Sequence, residues 1–114
     1  MNQSSWLTRK LAQAQENYRA AKHVRVETAP SVRYSIYTEF FTNLLDLTAR
    51  YFDGATLYFG TGLYEGNTES TGVIEIVGTA ADLQSVVFLA GDIKSVNRQA
   101  SVLIVSAPVT AVSV

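Results

Sequence analysis

Four carboxylates stand where this chain could do acid–base or metal chemistry: Glu39, Glu65, Glu69 and Glu75. All lie within or beside stretches that read as strands, and they could converge at one end of a sheet. Paired acids there would bind a divalent ion or serve as acid and base. Glu75 is set apart because it interrupts an apolar run, Val73 to Val77. A buried carboxylate needs a partner, and Arg33, Arg50 and Arg98 are the candidates. A structural ion pair is the plainer reading of Glu75, and solvation that of the other acids. A metal-dependent phosphodiesterase or nuclease built on clustered carboxylates is therefore the alternative, not the leading expectation.

Aromatic and amide side chains suggest a different use. Tyr34, Tyr37, Tyr51, Tyr58 and Tyr64 fall on strands and their ends, with Arg50, Asn97, Arg98 and Gln99 at helix ends. Tyrosine faces combined with Arg, Asn or Gln edges can hold a nucleotide base and its phosphate. The ligand-binding set expected from this pattern is Arg50, Tyr58, Tyr64, Glu65, Asn97 and Arg98. The competing role for the tyrosines is packing at an oligomer interface.

Other chemistries fall away. The chain has no Cys and one His, His23, so a Ser-His-acid triad would have to borrow across subunits and a multi-His metal site cannot form within one chain. Gly60-Thr61-Gly62-Leu63-Tyr64-Glu65-Gly66 looks like a dinucleotide fingerprint only superficially, because it leads into a loop and a strand rather than opening a helix. No catalytic residue, cofactor or metal ligand is assigned.

The elements that must position these residues centre on Asp53–Val77. Asp53-Gly54 is a turn dipeptide, and Ala55–Phe59 is rich in aromatic and β-branched residues. Gly60, Gly62 and Gly66 then read as part of a long polar loop that reaches Gly72, with Val73–Val77 as the returning strand. Upstream, Val32, Tyr34, Ile36 and Thr38 alternate with Arg33, Ser35, Tyr37 and Glu39, a strand with one wetter face. Phe40–Phe52 shifts to helical spacing, with Phe41, Leu44, Leu45, Thr48 and Phe52 on one face and Thr38 or Thr42 as its cap. Downstream, Thr79 and Asp82 resemble a capping box ahead of a helix running to about Val96. Ser101–Ser106 reads as a strand covered on both sides, ended by Pro108, after which Val109–Val114 resumes as an edge strand or tail.

From Val32 the predicted order is strand, helix, strand, strand, helix, strand. That is the split β-α-β pattern of the ferredoxin-like α+β sandwich, an antiparallel sheet with two helices on one face. The predicted domain spans 31–114. Residues 1–30 form an N-terminal extension, helical over 5–22, where Leu7, Leu11, Ala14, Tyr18 and Ala21 share a face. The uncovered sheet face is apolar enough to predict a homo-oligomer, a dimer in the first instance.

Composition fits this picture. At 114 residues, 47% hydrophobic and net charge −1, the chain suits one globular body and gives no nucleic-acid signal. Residues 1–30 carry five basic against two acidic residues, and 31–114 carry four against eight, so a basic extension accompanies an acidic body. No run approaches membrane-spanning length, and Arg9 and Lys10 interrupt any signal-peptide core. A soluble cytoplasmic protein is the expectation.

Residues 34–112 resemble a loosely defined family of small proteins from bacteria and their phages. The matching features are Thr38-Glu39, Tyr51-Phe52-Asp53-Gly54-Ala55-Thr56, Gly60 to Gly66, the apolar strand with Glu75, Asn97 to Leu103, and Pro108-Val109. The family pattern often has Trp where Tyr64 stands here, and residues 1–30 lie outside it. The resemblance implies a ferredoxin-like fold and transfers no catalytic residue. Phage members of this size are often accessory genes, some acting against host defence. The expectation is thus a non-catalytic, phage-type accessory protein in the host cytoplasm. It would act by binding, either sequestering a small nucleotide-like ligand at a subunit interface or masking a host protein.

Overall fold

The alternation of Val32, Tyr34, Ile36 and Thr38 with polar neighbours forms part of a strand, β1 (Glu27–Glu39), in a computed structural model that describes residues 7–14 and 27–114. The strand starts earlier than predicted and takes in Pro30. Residues 7–14 form helix α1. The rest of the helix predicted over 5–22, and His23, lie outside the described residues. The chain divides into two compact units, Met1–Ala29 with Ala111–Val114 and Pro30–Thr110. The buried core and the pocket belong to the second.

The order after β1 is α2 (Leu44–Thr48), β2 (Thr56–Tyr64), β3 (Asn67–Gly78), a 3-10 turn (Ala80–Asp82), α3 (Leu83–Val96) and β4 (Leu103–Ser113). The four strands form one sheet in the order β2-β3-β1-β4. β3 runs antiparallel to both neighbours, with Tyr34 opposite Ile76 and Leu57 opposite Ile74. The protein is an α+β structure. Among the described residues, no helix is long and apolar enough to cross a membrane.

The core lies between one sheet face and the helices. Tyr34 and Ile36 from β1, Ile74 and Ile76 from β3, Leu44 and Leu47 from α2, and Val86, Leu89, Ala90 and Ile93 from α3 are all buried together. Ile36, Leu44, Ile74, Val86, Leu89 and Ile93 are fully buried, so each contributes on the order of 1.5–3 kcal/mol of hydrophobic stabilisation. The Tyr34 hydroxyl donates to the Thr79 carbonyl at 2.7 Å, which satisfies the phenol at the core's edge. Thr79 and Asp82 form the predicted capping box, with the Thr79 N–H donating to Asp82 Oδ2 at 2.8 Å.

Three predicted elements are corrected. The long polar loop does not exist. β2 and β3 extend through it to a two-residue turn, Glu65-Gly66, flanked by the pair Tyr64 and Asn67. Glu65 and Gly66 both have positive φ, 49° and 79°, as a type I′ turn requires, and its twist matches that of the strands it joins. Gly60 and Gly62 are therefore strand residues.

The helix predicted over Phe40–Phe52 contracts to five residues, Leu44–Thr48, with Asn43, not Thr38 or Thr42, at its N-cap position and no side-chain capping bond. Beyond it the Arg50 and Tyr51 N–H groups bond three residues back, to Leu47 and Thr48 carbonyls, so the chain tightens and leaves the helix. The aromatic and β-branched residues around it are weak helix formers.

β4 runs straight through Pro108 instead of ending there. It is a sheet edge, where a residue without an N–H is tolerated. It is also not covered on both sides: Leu103 and Val105 are 60% and 45% exposed.

A candidate ligand pocket on the open sheet face

Strand register decides which side chains meet on the face away from the helices. Tyr37 lies opposite Val73 and Glu39 opposite Thr71, while Gly62 lies opposite Glu69 and Tyr64 opposite Asn67. Directly opposed residues share a face. Tyr37, Glu39, Gly62, Tyr64, Glu69 and Thr71 therefore project to one side, and together they line a pocket of about 340 Å³. The chain entering β4 closes it with Gln99, Ala100, Ser101 and Leu103.

Glu39 and Glu69 are its chemical centre. The carboxyl of Glu69 is held above the usual carboxylate range, first by burial, then by a hydrogen bond with Glu39 and by that neighbour's charge. Among the described residues, no Lys or Arg lines the site. Glu39 and Glu69 pair, but among the described residues no group of three or more His, Cys, Asp or Glu gathers as a metal-holding cluster.

Gln99 supplies an oriented amide. Its Oε1 accepts from the Thr38 hydroxyl and from Asn97 Nδ2, the latter at 2.8 Å, and its Nε2 donates to the Ser101 carbonyl at 3.3 Å. Thr38 is buried, so the amide is anchored from within the sheet. The backbone reverses just before it at Arg98, whose φ is 51°.

Of the six residues predicted to bind ligand, Tyr64 lines this pocket. Asn97 stands behind it as the hydrogen-bond partner of Gln99. Arg98 is exposed at the positive-φ position between them, and Glu65 is exposed at the hairpin turn. Tyr58 lies farther along β2 on the same face. Its phenol is pushed up by a hydrogen bond to Glu75 and by that carboxylate's charge, opposed by Arg33. Arg50 is exposed just after α2 and is not among the lining residues. Glu75 has found one of its three candidate partners, Arg33, with Nε to Oε1 at 3.9 Å.

Among the walls that the sequence does not single out are Thr71 and Leu103. The polar run 67–72 reads as loop, which hides Thr71, and the apolar run 101–106 reads as covered on both faces, which hides Leu103. Only the knowledge that 67–72 is extended would have placed Glu69 and Thr71 on the same side as Tyr37 and Glu39.

The architecture has solved counterparts. CPII, a nitrogen regulatory PII-like protein from Thiomonas intermedia K12 whose structure holds ADP, AMP and bicarbonate, matches with a TM-score of 0.55 over 75% of this chain and 96% of that one, at 15% identity. The chain shares its fold with a PII-like protein. A de novo designed protein, Foldit4, also matches, at a TM-score of 0.42 and 15% identity over 71% of this chain and 97% of that one. No family model and no curated protein matches the sequence. Residue roles therefore come from this chain's own geometry.

Proposed function

We propose that this protein is a non-catalytic binding protein that takes a small nucleotide-like ligand into the Glu39–Glu69 pocket. One observation carries the reading: Tyr37 and Tyr64 line the same pocket as two carboxylates and an anchored glutamine amide. Aromatic faces suit a base, and paired carboxylates accept hydrogen bonds from ribose hydroxyls or an exocyclic amine. A phosphate would be repelled by the acids, so the nucleoside end enters and the phosphate points away. Arg98, one residue before Gln99, is the guanidinium we assign to it, with Asn97 beside it; Glu65, Tyr58 and Arg50 complete a wider binding surface. The strand order β2-β3-β1-β4 with its two crossover helices is the ferredoxin-like arrangement, and the CPII structure of similar fold contains ADP and AMP.

The wider role in this proposal is sequestration by a homo-oligomer. The resemblance of residues 34–112 to small proteins from bacteria and their phages, whose phage members are often accessory genes, is the support for a protein that withholds a nucleotide from a host system, with no bond made or broken. Calorimetric titration of the purified protein with AMP, ADP and adenosine tests the reading. Saturable binding that is lost in Tyr64→Ala supports it; no heat with any of the three overturns it.

A further inference from the structure

β2 is an edge strand whose own sequence carries none of the usual edge protection. Its nine residues, Thr56–Tyr64, include no charged residue and no proline. Exposed edges of this kind are templates for pairing, and proteins blunt them with charge, proline or cover. The opposite edge, β4, is blunted by Pro108. Along β2, Phe59 and Leu63 are 69% and 75% exposed, and Tyr58 and Tyr64 more than half.

Gly60 is a second observation. A strand-interior glycine weakens a strand and marks a place where another backbone or a ligand comes close. A Cβ on Gly60 would meet nothing within 4 Å in its own chain. Neither a positive φ nor crowding within the chain accounts for it.

The strand is also self-complementary about that glycine. Tyr64 pairs with Asn67 across the two-residue turn, so Thr56, Tyr58, Gly60, Gly62 and Tyr64 bond to β3, and Leu57, Phe59, Thr61 and Leu63 direct their N–H and C=O groups outward. A two-fold axis perpendicular to the sheet keeps each side chain on its own face. With the axis at Gly60, Leu57 meets the other copy's Leu63, Phe59 meets Thr61, and Tyr58 covers Gly62. Thr56 meets Tyr64, so the pairs are apolar, aromatic-on-glycine or aromatic-on-threonine, and no charge is brought opposite its own copy.

We propose that β2 pairs antiparallel with β2 of a second copy, centred on Gly60, so that one sheet runs through both subunits. Gly62 lines the pocket, so the second copy's Tyr58 stands at its rim and supplies an aromatic wall from across the interface. That last point rests on the ligand-binding reading above; the strand pairing does not.

Cysteine crosslinking tests the pairing, and the chain has no native cysteine to interfere. At an axis through a pair without hydrogen bonds, the two Cα atoms come to about 4.5 Å, within disulfide range. Mild oxidation of Gly60→Cys should give a covalent dimer, while Val77→Cys, exposed on the open face, should not. Gly60→Lys sets two like charges against each other and should yield a folded monomer by native mass spectrometry and circular dichroism. Mixing Gly60→Lys with Gly60→Glu should restore a heterodimer. A wild-type monomer at tens of micromolar, a dimer that survives Gly60→Lys, or crosslinking at Val77 but not Gly60 each overturns the pairing. A dimer that crosslinks at Gly60 but does not bind AMP overturns the ligand reading alone, and a monomer that binds AMP overturns the pairing alone.

Discussion

Glu39 and Glu69 come from strands that neighbour each other in the sheet, and both line one pocket on its open face. The pair follows from register: Glu39 lies opposite Thr71, two residues beyond Glu69 and on the same side. Burial and the neighbouring acid together hold the Glu69 carboxyl above the usual carboxylate range.

The first prediction follows from the sign of that coupling. Folding holds the Glu69 proton more tightly than the unfolded chain does, so its contribution favours the folded state at low pH and is lost as pH rises through the raised folded value. Glu69→Gln removes the repulsion between two ionised acids. Its melting temperature should exceed that of the wild type at pH 7 and above, and the difference should close toward pH 4. Thermal melts across pH 4 to 8 check this; an equal difference at all pH values would refute it.

Ligand selectivity gives the second. If the nucleoside end enters the pocket, AMP and adenosine should bind within about tenfold of each other, and Tyr64→Ala should weaken both by about tenfold or more through lost stacking. Gln99→Ala should weaken them as well. Arg98→Ala should weaken AMP and spare adenosine. Titrations of the three variants with both ligands separate these outcomes.

The hairpin turn provides the third. Gly66 has a φ of 79°, which costs an L-residue about 1–2 kcal/mol. Gly66→Ala should destabilise the protein by about that amount in urea unfolding, whereas Gly54→Ala, where no positive φ is required, should change little.

The fourth concerns the core. Leu89 and Ile74 are fully buried on opposite layers of it. Leu89→Ala and Ile74→Ala should each cost about 2–5 kcal/mol. Tyr34→Phe keeps the ring and loses the 2.7 Å bond to the Thr79 carbonyl, for about 1 kcal/mol. Denaturant midpoints of the three variants should rank accordingly.

What could be read directly from the residues was local. The Thr79–Asp82 cap and the alternation of β1 each signal themselves within a few positions, and both are present. In α3 the helical spacing of Leu83, Val86, Val87, Ala90 and Ile93 predicts one buried face, but Leu83 and Val87 are exposed and Leu89 is buried with Val86, Ala90 and Ile93. The 60–72 stretch was misread because neither face of it is well buried near the turn. A strand without a buried face carries no two-residue hydrophobic rhythm, and its Thr, Ser, Glu and Gly look like loop. α2 was overextended because Phe41 and Phe52 pack against the core from outside the helix and so mimic its stripe. In the site, Tyr64, Glu39, Glu69 and Gln99 were recognisable by type. Their grouping depends on pairings across 30 residues between Glu39 and Glu69, and 60 between Glu39 and Gln99, which no local spacing encodes.

The Glu65-Gly66 reversal leaves no slack in the hairpin. Inserting a single residue there would invert β2 relative to its neighbour. Leu57 would swing away from the helices, and the two halves of the acid-lined cleft would look in opposite directions. Length variation at this corner is thus restricted to steps that preserve parity, and homologues differing by an odd number of residues must carry a compensating bulge elsewhere in the arm.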